Sequence, residues 1–160
     1  MLTIDVFNQP DTQDVQAALA ELQEFERRLS PDRKRGQDIA AEYLEYLLKK
    51  CKSHDGELLV ARIDQSMAGC IAYWVRKNEP PVLETYQTYL WVSDLVVLGH
   101  YRRTGLGKLL LEKANAHAKK HECACLRVRA LAANVEARAF YGKVGFSEYE
   151  VEFIKKIFRT

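Results

Sequence analysis

Residues 92–108, V-S-D-L-V-V-L-G-H-Y-R-R-T-G-L-G-K, constrain this chain more than any other stretch. The first half is β-branched and aliphatic and reads as a strand. The second half is a basic, glycine-bearing turn that opens directly into an amphipathic run starting at Leu106. A strand that feeds such a turn and then a helix N-terminus makes an anion site, because the first helical N–H groups have no intrahelical acceptor and the aligned peptide dipoles add partial positive charge. Gly105 and Gly107 allow close backbone approach, and Arg102, Arg103 and Lys108 raise the local potential. The ligand this chemistry expects is a phosphate or pyrophosphate.

The rest of the composition makes that positive site local. The chain has 160 residues, the size of one domain with a real core, and its net charge is only +2. Bulk nucleic-acid or membrane-surface binding is therefore not expected. No apolar run approaches the roughly 20 residues a membrane span needs, and the first residues carry no basic leader, so a cytoplasmic location is expected. Cys51, Cys70, Cys123 and Cys125 show no disulfide framework. His117, His121, Cys123 and Cys125 bring four ligand types into nine residues. The helix ends between the two pairs and the spacing matches no familiar zinc pattern, so no metal is expected.

Taken in order, residues 2–7 read as a strand, stopped by Pro10. Val15, Leu19, Leu22, Phe25 and Leu29 recur at helical spacing until Ser30-Pro31, with Glu26, Arg27 and Arg28 read as the wet face, a substrate contact being the alternative. Ile39, Tyr43, Leu44, Leu47 and Leu48 form a second amphipathic helix. The period then becomes two: residues 57–63, a turn at Asp64-Gln65-Ser66, and residues 67–76 form a hairpin. Its second strand is apolar on both faces, as expected of a central strand. A loop with Pro80-Pro81 leads to a strand over residues 88–98, the helix from Leu106 to about His121, and a strand over residues 124–131. Strand, helix of about 15 residues and strand form a crossover unit, which makes the two strands parallel. Asn134 caps a short helix ended by Gly145, and residues 146–158 are expected to close the sheet. The order β-α-α-β-β-β-α-β-α-β predicts a single α/β domain over residues 1–160, with a mixed central sheet flanked by helices.

Two landmarks in this order resemble the GNAT superfamily of N-acetyltransferases. Arg102-Arg103-Thr104-Gly105-Leu106-Gly107 fits R/Q-x-x-G-x-G/A, preceded by Leu95-Val96-Val97 where that family has its L-x-V strand. Asn134, Ala137, Phe140-Tyr141 and Gly145-Phe146 fit N-x-x-A-x-x-F-Y-x-x-x-G-F. One departure is that Arg103 stands where the loop often has a glycine. A P-loop is excluded by the missing Ser/Thr after Lys108, and a dinucleotide fingerprint by Leu110 at the third glycine position.

The resemblance implies acetyl-CoA as cosubstrate. It places the pyrophosphate on the amides of Arg103, Thr104, Gly105, Leu106, Gly107 and Lys108 beside Arg102, and the pantetheine arm along Leu95, Val96 and Val97 with help from Asn134. An acceptor amine would attack the thioester directly, with a backbone N–H near Val97 stabilising the oxyanion and Tyr141 as general acid. Asp94 is the best-placed general base, its alternative being a structural ion pair; His100 and Glu84 are further candidates. Diamine acetyltransferases, which resemble this stretch, carry two consecutive acids where this chain reads Ser93-Asp94. Tyr73, Tyr89 and Trp91 favour a closed pocket and hence a small-molecule amine. An acetyltransferase acting on protein N-termini or lysines, and a non-catalytic acyl-CoA sensor, are the alternatives. Family members often dimerise, so a homodimer is possible.

Overall fold

A computed structural model describes residues 1–158. Five strands form one sheet in sequence order: β1 Leu2–Val6, β2 Glu57–Ile63, β3 Ser66–Lys77, β4 Thr88–Val97 and β5 Leu126–Val128. The first three junctions are antiparallel and β4–β5 is parallel, as the crossover through helix α3 (Leu106–Lys120) requires. Helices α1 (Thr12–Leu29) and α2 (Gly36–Ser53) cover one face. Helix α3 covers the other, and α4 (Val135–Lys143) follows β5. The β2–β3 turn places Asp64 and Gln65 at φ 48° and 70°, the left-handed pair that matches strand twist in a two-residue hairpin.

Strand β3 is central and its alternation splits the core in two. Cys70, Ala72 and Trp74 pack with Val15, Leu44 and Leu47 under α1 and α2. Ile71 and Tyr73 pack with Leu90, Leu110 and Ala114 under α3. Strand β4 obeys the same logic with one interruption. Its pairing with β3 runs Ala72 opposite Asp94 and then Tyr73 opposite Val92, so Ser93 is the extra residue of a β-bulge. The bulge resets parity. Leu90 and Val92 face α3 before it, and Leu95 and Val97 after it. Trp91 and Val96 face α1 and α2.

Two expectations about the sheet are corrected. The strand expected over residues 124–131 is a strand only at 126–128, opposite Leu90, Trp91 and Val92, with backbone hydrogen bonds reaching back to Ala124 and Cys125. Its ladder stops where the bulge turns β4 aside. The closing strand expected over residues 146–158 does not form over 147–158. Glu148 and Glu150 reach Arg138 and Arg127, holding the start of this segment beside β5 through side chains instead of a backbone ladder. Val151, Phe153, Ile154, Ile157 and Phe158 are exposed. As a strand of three residues, β5 offers too short an edge to template the alternating sequence. A cavity of about 900 Å³ lies along that edge, walled by Leu83, Leu111, Leu126, Val144 and Phe146.

Candidate active site

Past the bulge, residues 93–97 of β4 keep β3 on one side and have no strand on the other, since β5 pairs only as far as Val92. The two parallel strands thus part at Ser93, leaving a backbone edge open at Leu95, Val96 and Val97. Bulges re-aim a strand in this way beside functional sites. The opened edge leads straight into the basic turn.

In that turn, residues 99–101 form a short 3₁₀ helix, Arg103 takes φ 63° and Gly105 takes φ 86° before α3 begins. A left-handed conformation at Arg103 accounts for the glycine that related loops prefer there, because only glycine adopts it without steric cost. Thr104 Oγ1 donates to the Tyr101 carbonyl at 2.6 Å. Arg102 Nε donates to the Val97 carbonyl at 3.2 Å, and its guanidinium lies 3.7 Å from Glu21. Arg102 therefore ties the turn to β4 and α1. No acid occupies the first turn of α3, so its positive end is uncompensated. Gly107 proves to be a packing position: a Cβ there would meet the Phe140 ring at 3.0 Å, so the two sequence landmarks touch. Lys108 also lines the cavity at the β5 edge, on the far side of α3's first turn.

Four polar side chains from four elements converge beside the open edge. Asp94, only 8% exposed, points under α1 and α2 and accepts a 2.8 Å hydrogen bond from the Tyr43 hydroxyl. Burial raises its pKa, opposed by the hydroxyls of Ser93 and Tyr43. No cation pairs with it among the described residues, so the structural ion-pair alternative has no partner there. Glu26, on α1, is half-buried; burial raises its pKa, Arg33 lowers it and Asp94 raises it. Tyr141, on α4, packs against Phe140 and Phe146. Its pKa is pushed up to about 12 by burial, with Asp94 and Glu26 adding to the rise. Its hydroxyl makes no hydrogen bond among the described residues and is not sealed from solvent. Two carboxylates and one protonated phenol thus share one electrostatic environment.

The remaining predicted positions separate. Asn134 caps α4, its side chain accepting from the Ala137 amide at 3.1 Å. His100 is exposed in the turn, and Glu84 lies in the β3–β4 loop. Tyr73 is not in the pocket: it faces α3, donates to Glu57 at 2.8 Å and packs on His117. Tyr89 and Trp91 do share the face that carries Asp94, stacked under Arg76, Arg127 and Arg129. From sequence, Glu26 is assigned to a wet helix face and Tyr43 to an apolar stripe, and neither is placed beside Asp94. A usable signal was present for Glu26, since residues 15, 19, 22, 26 and 29 form one stripe that is otherwise apolar.

The family model for the acetyltransferase (GNAT) family matches residues 18–146. The chain belongs to that family, a class of acyltransferases. No curated protein sequence matches it. Solved structures give the same fold. A transcriptional regulator from Bacillus halodurans C-125 is 19% identical with a TM-score of 0.74, over 99% of this chain and 100% of that one. The aminoglycoside N-acetyltransferase AAC(6')-Iy in complex with CoA is 16% identical with a TM-score of 0.73, over 98% and 95%. Glucosamine-6-phosphate N-acetyltransferase from Arabidopsis thaliana is 19% identical with a TM-score of 0.71, over 98% and 99%.

Proposed function

We propose that this protein is an N-acetyltransferase that moves acetyl from acetyl-CoA to the primary amine of a small molecule, by direct attack in a ternary complex. The observation that carries this reading is the strand that parts from its neighbour at Ser93 and runs into an uncompensated helix N-terminus, with Asp94, Glu26 and Tyr141 gathered at the opening. When bound, the cosubstrate supplies an acyl group activated as a thioester.

The chain's own residues suit each part of the work. Amides from Arg103 to Lys108 receive the pyrophosphate. The free edge at Leu95, Val96 and Val97 takes the pantetheine arm as an added strand, with Asn134 at its flank. The Val97 N–H donates to the negative charge developing on the carbonyl oxygen. Asp94, assisted by Glu26, removes the proton that an ammonium must lose before it attacks. Both carboxyls sit above their ordinary values, closer to neutrality and so better matched to that task. The amine nitrogen bonds the acyl carbon, the carbon–sulfur bond breaks, and Tyr141 gives its proton to the departing thiolate. A phenol with its pKa near 12 is fully protonated at neutral pH, as an acid must be. Titration of released CoA thiol across a panel of amines and peptides, with the four protein thiols subtracted, tests the reading. Turnover on small amines that Tyr141→Phe slows is expected. Turnover confined to peptides favours protein acetylation, and bound acetyl-CoA without turnover favours a sensor.

A further inference from the structure

On the face of the sheet that carries Asp94, one feature is left unused by the acetyl transfer just described. Trp91, three positions before Asp94 on β4, lies beneath two guanidiniums: Arg76 from β3 at 5.0 Å and Arg129 from just past β5 at 5.3 Å from the ring centroid. Both arginines are exposed, and neither makes an ion pair or donates a hydrogen bond among the described residues. Their neighbour Arg127 is the contrast. It stacks on Tyr89 and Tyr149, donates to Asn78 Oδ1 at 2.8 Å and pairs with Glu150 at 3.2 Å. Arg127 is therefore occupied in holding the structure together, whereas Arg76 and Arg129 keep all their side-chain N–H donors free among the described residues. Contact with one indole restricts both guanidiniums, which lowers the entropy lost when they grip a ligand.

The free donors point to a polyatomic anion. Guanidinium forks match carboxylate and phosphate oxygens in bidentate pairs, and two forks beside one ring give up to four such bonds. Asp94, with Glu26 of α1 in its electrostatic neighbourhood, lies at the other end of the same strand segment. Three residues of extended chain span about 10 Å, shortened by the bulge. A polycationic acceptor would place its second ammonium against Arg76 and Arg129. An acceptor with an amine at one end and an anion at the other satisfies both ends at once.

We infer that Arg76 and Arg129, stacked on Trp91, form an anion subsite, and that the acceptor is an amine bearing a carboxylate or phosphate several bonds from its nitrogen. This inference rests on the acetyltransferase reading above. It is tested by kcat/KM in matched pairs: a length series of ω-amino acids against their methyl esters for the carboxylate, and O-phosphoethanolamine against ethanolamine for the phosphate, with spermidine as the polycation. The anionic member of at least one pair is expected to win by about tenfold or more. Arg129→Ala and Arg76→Ala should collapse that ratio toward one, and Arg129→Lys should restore part of it, with the change in KM larger than in kcat. Thermal unfolding of each variant separates misfolding from lost recognition. Turnover in which the neutral member or spermidine is preferred overturns the anion subsite and leaves the acetyltransferase standing. Absence of turnover on every amine, with acetyl-CoA bound, overturns both.

Discussion

Tyr141 is where the chemistry is most exposed to a single change. Its phenol is kept protonated by burial and by the negative charge of Asp94 and Glu26. Replacing it with Phe keeps the packing on Phe140 and Phe146 and removes only the hydroxyl proposed as the acid. A fall in kcat of about a hundredfold with little change in acetyl-CoA affinity is expected from steady-state kinetics. Arg103 makes the opposite kind of prediction. Held at φ 63°, it carries a steric cost that glycine would not, so Arg103→Gly should be tolerated and should raise stability by up to about 1 kcal/mol in chemical denaturation. Part of this scale was legible beforehand. The Arg102–Gly107 turn stood out from local backbone chemistry, and Tyr141 only through its place in the motif that resembles the acetyltransferase family. Glu26 showed only as a break in an apolar stripe and Tyr43 not at all, because what sets them beside Asp94 is proximity to a strand more than fifty residues further on in the chain.

At the scale of elements, the decisive feature is one surplus residue. Ser93 flips the alternation of β4, which brings Asp94 to the α1/α2 face while Leu95 and Val97 return to the α3 face. It also parts β4 from β5. Deleting Ser93 should restore a regular ladder that keeps Asp94, Leu95 and Val97 on their present faces while removing the bulge that parts β4 from β5, so the open edge narrows. Acetyl-CoA affinity should fall by about tenfold or more while far-UV circular dichroism retains the native secondary structure. The hairpin, the central strand and the parallel crossover were all readable from periodicity. The bulge was not, because an extra residue leaves no trace in an apolar run such as L-V-V. The closing strand was misread for the converse reason: residues 148–153 alternate strictly, but alternation specifies a strand only where a sheet edge is long enough to receive it.

For the molecule as a whole, the site sets a stability cost that pH reveals. Asp94 has a folded pKa raised above the ordinary 3.8, chiefly by burial. The folded state therefore binds the proton more tightly than the unfolded chain, and stability declines as pH rises from 3.8 through the raised value. Glu26 acts in the same direction. Asp94→Asn removes the buried charge while leaving an oxygen for the Tyr43 hydroxyl. It should gain about 1–2 kcal/mol at pH 7 and flatten the pH dependence of the melting temperature, at the expense of activity. An unchanged pH slope would show that Asp94 is not the buried ionised group.

The opened strand edge and the helix N-terminus beyond it stand or fall on calorimetric titration with acetyl-CoA. Saturable one-to-one binding in the micromolar range, weakened by salt and lost in the Ser93 deletion, is the result an acyl-CoA site at residues 93–108 predicts. No saturable binding at millimolar acetyl-CoA, by a protein that melts cooperatively, would contradict it.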